Sequence, residues 1–228
     1  IFQHKLDIYN TRFYNHIVKN KKVRRNVAEF YFERNHFDQA VEIFKNLDEE
    51  QRNTAEVTEK IAYSYQRLGD YQDALDYYRK AELFDTNKAW INKKIALSYR
   101  YLNQPEKALE YYQEAEKLEP ENLYIKAYIG HSLFQLKRYE EALKYYFKVE
   151  YLAPDYITLG HVYWCVQDIG KAQKAYKDAA LHEEAGFETF ADSFLDDQKY
   201  LQSHGIQLFD IHLMMDRVKL LVEGEQNT

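Results

Sequence analysis

An all-α solenoid of stacked antiparallel helix pairs is predicted by three observations. The blocks DALDYYRKAE at 73–82, KALEYYQEAE at 107–116 and EALKYYFKVE at 141–150 are near copies, each beginning 34 residues after the one before. A fourth block, QAVEIFKNLD at 39–48, falls in the same register when Ala40 is aligned with Ala74. The chain of 228 residues holds only 7 Gly and 3 Pro, too few turn residues for a strand-rich fold. A repeat of this period marks helical hairpins, each too small to bury its apolar face without covering its neighbour.

The elements follow in order. Phe2, Leu6, Tyr9, Phe13 and Ile17 form a helical stripe, so residues 1–20 are expected to make an N-terminal helix, or the end of a missing upstream repeat. Repeats are then expected near 21–54, 55–88, 89–122, 123–156 and 157–182. The first helix of each unit is marked by Val27–Ala28 and Tyr31, Ile61–Ala62 and Tyr65, Ile95–Ala96 and Tyr99, and Ile129–Gly130 and Leu133. Spacings of i, i+1 and i+4 define one helix face, and Ala74, Tyr78 and Ala81 define a face of the second helix. Small residues are required where two helix axes approach closely. Gly69, Asn35 and Asn103 sit where a left-handed cap is expected; Lys137, at the same place, departs from that preference. Pro120 and Pro154 end second helices.

The fifth unit, ITLGHVYWCVQDIGKAQKAYKDAA, slips. Ala172 lies 30 residues after Ala142, so either its first helix is a turn short or residues are absent between Pro154 and Leu159; the second alternative is the expectation. Phe187, Phe190, Phe194 and Leu201, then Leu208, Ile211, Met214, Met215, Val218 and Leu221, predict capping helices over 183–222, with a partner-binding helix pair as the alternative. Residues 223–228 are expected to be a frayed polar tail.

With these positions in place, the sequence resembles the tetratricopeptide repeat family. The resemblance rests on Ala62, Ala74, Ala81, Ala96, Ala108, Ala115, Gly130 and Ala142, on Tyr65, Tyr78, Tyr99, Tyr112 and Tyr146, and on Pro120 and Pro154, and it covers residues 21–182. It implies a right-handed superhelix with the first helix of each unit lining a concave surface, and it points to bacterial members of the family. Projected on that frame, Arg25, Glu29, Phe32, Glu59, Tyr63, Arg67, Trp90, Lys93, Leu97, Tyr101, Tyr124, Tyr128, His131 and Phe134 face inward. The ligand-binding candidates among them are Phe32, Tyr63, Arg67, Trp90, Lys93, Leu97, Tyr101, Tyr124, Tyr128, His131 and Phe134; the alternative for each aromatic is packing between adjacent helices. Aromatic side chains with scattered cations suit a peptide with apolar anchors. Some family members hold a C-terminal carboxylate through Lys and Asn of the first unit, but here Arg25 and Glu29 stand at those positions, with Lys60, Trp90 and Lys94 further on, and Glu29 would repel a carboxylate.

The expected function is therefore a non-catalytic scaffold that binds a protein or peptide in its concave groove. Alternatives are a self-associating assembly module, near Tyr77, Tyr111 and Tyr145 or through its ends, and the regulatory arm of a larger, membrane-anchored protein. Net charge is −6, which argues against nucleic acid as main partner, although Lys19, Lys21, Lys22, Arg24 and Arg25 make a local basic run. Cys165 is the only cysteine, so no internal disulfide can form, and it reads as a small apolar helix residue. No run is long enough to span a membrane, so membrane contact is expected only through a missing segment, and the location is expected to be cytoplasmic. The chain opens on Ile1 and not on Met, so loss of the native start is expected. No small-molecule cofactor is expected. His182–Glu183–Glu184 lacks the second His of a zinc-protease helix, and Gly170–Lys171 lacks the earlier Gly of a phosphate loop. His131 and His161 occupy matching places and read as helix-surface residues.

Overall fold

The computed structural model describes residues 19–50, 54–84, 87–149, 156–182 and 186–226. Among them there are thirteen helices and no strand. The expected N-terminal helix with Phe2, Leu6, Tyr9, Phe13 and Ile17 lies outside the described residues. The chain divides into two compact units, Ile1–Leu118 and Glu119–Thr228.

The first unit holds three hairpins: α1 (Lys21–Glu33) with α2 (Phe37–Glu50), α3 (Ala55–Leu68) with α4 (Tyr71–Glu82), and α5 (Lys88–Tyr101) with α6 (Pro105–Leu118). Each hairpin also packs on the next, α2 against α3 and α4 against α5. Ala28, Ala40, Ala62, Ala74, Ala81, Ala96, Ala108 and Ala115 are all fully buried. They are small because the paired helices leave no room for more, and Tyr78 and Tyr112 fill the space a turn away. Ile61, Ile95 and Phe44 complete the core, each worth about 1.5–3 kcal/mol relative to exposure.

The second unit begins with α7 (Leu123–Gln135) and α8 (Tyr139–Val149), followed by α9 (Tyr156–Cys165) and α10 (Ile169–His182). Its C-terminal part is α11 (Phe187–Asp196), α12 (Gln198–Ser203) and α13 (Leu208–Gln226). Both α11 and α13 pack on α10, so they cover its otherwise open face. Phe190, Phe194 and Leu201 are fully buried, as are Ile211 and Val218 of α13. Val222, not Leu221, continues that buried row, and Leu208 and Leu221 are exposed. The tail expected from Glu223 is helical to Gln226, tied down by the buried Val222 and by an ion pair of 2.5 Å between Lys177 and Glu225.

The slip in register falls between α8 and α9. The expected interruption lies on residues 150–155, outside the described ones, and α9 is described from Tyr156 to Cys165. The cap residue still recurs in every hairpin: Asn35, Gly69, Asn103, Lys137 and Gln167 all have positive φ. In each hairpin the cap N–H donates to the residue three back, and the following N–H to the residue five back from itself, as in Lys137 to Phe134 and Arg138 to Leu133. The hairpin thus imposes the left-handed conformation on Lys137 and Gln167, against their own preference.

Candidate functional site

In the first unit, caps set the helices that carry the inner residues. The Asn87 side chain accepts from the Trp90 N–H at 3.0 Å, which fixes the first turn of α5. Thr54 does the same for Val57 at the start of α3. Phe32 of α1, Tyr63 of α3 and Trp90 of α5 then line one concavity of about 440 Å³, together with Glu33, Asn35, Phe37, Glu56, Glu59 and Lys60. Phe32, Phe37 and Tyr63 form a three-ring cluster with centroids 5.7–5.8 Å apart. Trp90 is half-buried and meets the buried Tyr78 edge-on at 5.8 Å.

One side of this concavity neutralises its own charge. Lys60 donates to Glu29 at 2.5 Å and to Glu56 at 3.0 Å, and Arg25 pairs with Glu56. The hydrogen bonds from Lys60 and then Arg25 hold the Glu56 carboxyl below the usual carboxylate range. Of the positions that correspond to the family's carboxylate clamp, Arg25, Glu29 and Lys60 are thus taken up by internal ion pairs.

The other side is cationic. The Lys94 ammonium lies 5.0 Å above the Tyr63 ring and 5.6 Å from that of Trp90. Arg67 lies 5.2 Å from the Phe37 ring and donates to the Tyr63 hydroxyl at 3.1 Å. Burial first, then the neighbouring charges of Lys93 and Arg67, push the Lys94 pKa below its ordinary value. Neither Lys94 nor Arg67 pairs with a carboxylate among the described residues. Lys93 and Leu97 are half-buried, and Tyr101 is exposed and stacked flat on Tyr71 at 4.3 Å.

In the second unit, Tyr124 is 69% exposed on the first turn of α7, which Asn122 caps. Tyr128 and His131 are half-buried. Phe134 does not face a ligand: it is 0% exposed, stacked on His204 at 4.6 Å and met edge-on by Tyr200 at 5.3 Å. The chain's own α12 covers it, held by a bond of 2.8 Å between the Tyr139 hydroxyl and His204 Nδ1 and by Lys137 donating to the Ser203 carbonyl at 2.9 Å. His161 is not a surface residue either. It is buried, with its ring bonded to the Tyr176 hydroxyl at 2.7 Å and to Asp197 at 3.2 Å. Cys165 is half-buried, and burial raises its thiol pKa to about 11, which keeps it a protonated packing residue.

Sequence reasoning missed Phe37 as a part of this concavity. The signal for Phe37 was present: it opens α2 two residues after the left-handed Asn35, which turns its ring back towards Phe32. Among the described residues, no group of three or more His, Cys, Asp or Glu side chains could hold a metal ion. No helix among them is long and apolar enough to cross a membrane.

Helical hairpins in a fixed period, with small residues at the axis contacts and left-handed caps between helices, define a helical repeat array. Residues 34–82 and 93–157 match tetratricopeptide repeat family models, and the chain belongs to that family. Solved structures agree with the fold. MamA residues 41–end from Desulfovibrio magneticus RS-1 is 18% identical, with a TM-score of 0.64 over 69% of this chain and 91% of that one. YrrB, described as a TPR protein with an unusual peptide-binding site, is 21% identical, with a TM-score of 0.60 over 73% of this chain and 89% of that one. Another MamA structure is 20% identical, with a TM-score of 0.61, covering 67% and 92%. No curated protein matches the sequence. The fold is one of protein-interaction scaffolds in general.

Proposed function

We propose that the inner face of the first unit binds a segment of a partner polypeptide that offers a large apolar side chain next to an acidic one. The observation that carries this reading is the pairing of the Phe32–Tyr63–Trp90 concavity with Lys94 and Arg67, two cations without a carboxylate partner beside the same rings. An apolar side chain entering the concavity loses water against three aromatic residues, where binding energy is commonly concentrated. An acidic side chain reaching Lys94 would offset the cost of holding a part-buried ammonium beside two like charges. The self-paired Glu29–Lys60–Glu56–Arg25 side offers little net charge and would fix orientation instead. The peptide-binding description of YrrB is compatible with this reading.

Panning a random peptide library on the whole chain tests it. Peptides with an aromatic or aliphatic residue adjacent to Asp or Glu should be enriched. Trp90→Ala should abolish enrichment while circular dichroism retains its helical signal, and Lys94→Glu should remove the acidic preference alone. Equal enrichment by the wild type and Trp90→Ala would refute the assignment.

A further inference from the structure

We infer that the bound segment also carries a basic side chain, met by Glu33 on the far side of the apolar anchor from the acidic one, so that it crosses α1, α3 and α5 in one fixed order of charge. The inference rests on the peptide-binding reading above and adds a second charge to it. The repeat makes places on successive helices equivalent. Lys60 and Lys94 stand 34 residues apart, at the same place on α3 and α5. Lys60 is held by Glu29 at 2.5 Å and by Glu56 at 3.0 Å. The residues 34 positions after those two glutamates are Tyr63 and Trp90. Lys94 therefore meets two rings where Lys60 meets two carboxylates, its ammonium 5.0 Å and 5.6 Å from their centroids. The chain completes the first site with its own acids and leaves the acid of the second to a ligand.

The opposite edge of the concavity carries the reverse charge. Glu33 is the last residue of α1 and lines the concavity beside Phe32. Arg67 holds the equivalent place on α3. Glu33 is exposed, and it makes no ion pair among the described residues, with Arg67 or with any other cation. The adjacent Arg34 lies over the Phe30 ring at 3.8 Å, and residues 30 and 32 point about 200° apart around a helix. A carboxylate in the last turn of a helix is disfavoured by the helix dipole, and the last turn of α1 holds no basic residue to offset it. Arg67, in the last turn of α3, is favoured by the same dipole. Helix stability thus gives no reason for Glu33, whereas a basic group on a ligand does. Between the edges, Glu29, Lys60, Glu56 and Arg25 sum to no net charge. Glu59, which also lines the concavity, has an interaction within the chain. A segment laid across this face meets a carboxylate at α1, rings in the middle and cations at α3 and α5. Glu33 and Lys94 are separated by one to two helix spacings, roughly 10–15 Å, which an extended segment covers in about three to five residues.

Panning a random peptide library on the whole chain tests the order. The wild type should enrich Lys or Arg about two or three residues from the apolar anchor, on the side away from Asp or Glu. Glu33→Gln should lose that preference and keep the apolar and acidic ones. Glu33→Lys should replace it with an acidic preference on the same side. Circular dichroism should be unchanged in both, since Glu33 is exposed. A pair with an exposed carboxylate is weak, so exchanging the enriched Lys for Gln in a synthetic peptide should weaken binding to the wild type about two- to fivefold, and less at high salt. The same exchange should leave binding to Glu33→Gln unchanged. The inference is overturned, and the peptide-binding reading kept, if the wild type enriches apolar and acidic residues without a basic one, or if the basic preference survives in Glu33→Gln. No enrichment by the wild type would overturn both.

Discussion

Replacing Gly160 by alanine sets helix propensity against packing, and the structure decides which wins. Propensity favours the change by about 1 kcal/mol. A Cβ at Gly160, however, would lie 2.3 Å from Tyr176 Cε1 and 2.5 Å from Cδ1. Carbon contacts relax near 3.5 Å, so the ring would have to retreat by about 1.2 Å. It has nowhere to go: Tyr176 is fully buried, its hydroxyl is bonded to His161 at 2.7 Å, and its ring meets the buried Phe194 at 5.0 Å. Overpacking of this kind costs about 1–3 kcal/mol, and a weakened buried hydrogen bond adds about 1 kcal/mol. The expected net loss is about 1–3 kcal/mol. Gly130 occupies the equivalent place one hairpin earlier, where a Cβ would meet the Tyr146 ring at 3.3 Å and Tyr145 Cβ at 3.4 Å. A shift of a few tenths of an ångström suffices there, so Gly130→Ala should be neutral or stabilising by up to about 1 kcal/mol. Urea denaturation would be followed by fluorescence in a Trp90→Phe background, leaving the buried Trp164, 6.3 Å from Tyr176, as sole reporter. Equal shifts of the two midpoints in the same direction would refute the reasoning.

Gln167 is exposed with φ of 64°, so Gln167→Gly should raise the denaturation midpoint by the equivalent of about 0.5–1 kcal/mol, as relief of left-handed strain exceeds the added chain entropy. An unchanged or lower midpoint would contradict it. Burial, followed by the charges of Lys137 and His161, depresses the His204 imidazole from 6.5 to about 4. The unfolded chain therefore takes up the proton first: the stability His204 contributes is present above pH 6.5 and is lost as pH falls from 6.5 towards 4. The protection factors of residues 198–204 against hydrogen exchange, taken relative to the intrinsic rate at each pH, should fall over that window, and His204→Phe, which keeps a ring on Phe134, should flatten the dependence; an unaltered pH profile in the variant would exclude this cause.

The repeat was legible because its contacts are short in sequence and recur. Ala62 meets the helix that carries Ala74 and Tyr78 within one hairpin, and the same meeting is written again 34 residues later. Caps were legible at Asn35, Gly69 and Asn103, where residue type and conformation agree, and not at Gln167, where the turn overrides the residue. The inner face was legible in part. Phe32, Tyr63 and Trp90 line one concavity as their shared frame implies, whereas the cancellation of Glu29 and Glu56 by Lys60 depends on side-chain directions that spacing does not carry.

By itself, then, the sequence determined the hairpin unit, its period and its small-residue contacts, since each follows from local periodicity repeated several times. Tertiary structure alone decided which inward positions stay open. Phe134 shares its frame with inner residues of earlier units, yet α12 lies over it, and Lys137 reaches Ser203 across 66 positions of chain. Such contacts occur once and join elements that no repeat relates, so no pattern in the sequence announces them. The outer face of α13 lies at the same boundary: its alternation of Phe209, Leu213, Asp216, Arg217 and Leu220 is written in the chain, but only packing of the opposite face against the second unit leaves it exposed.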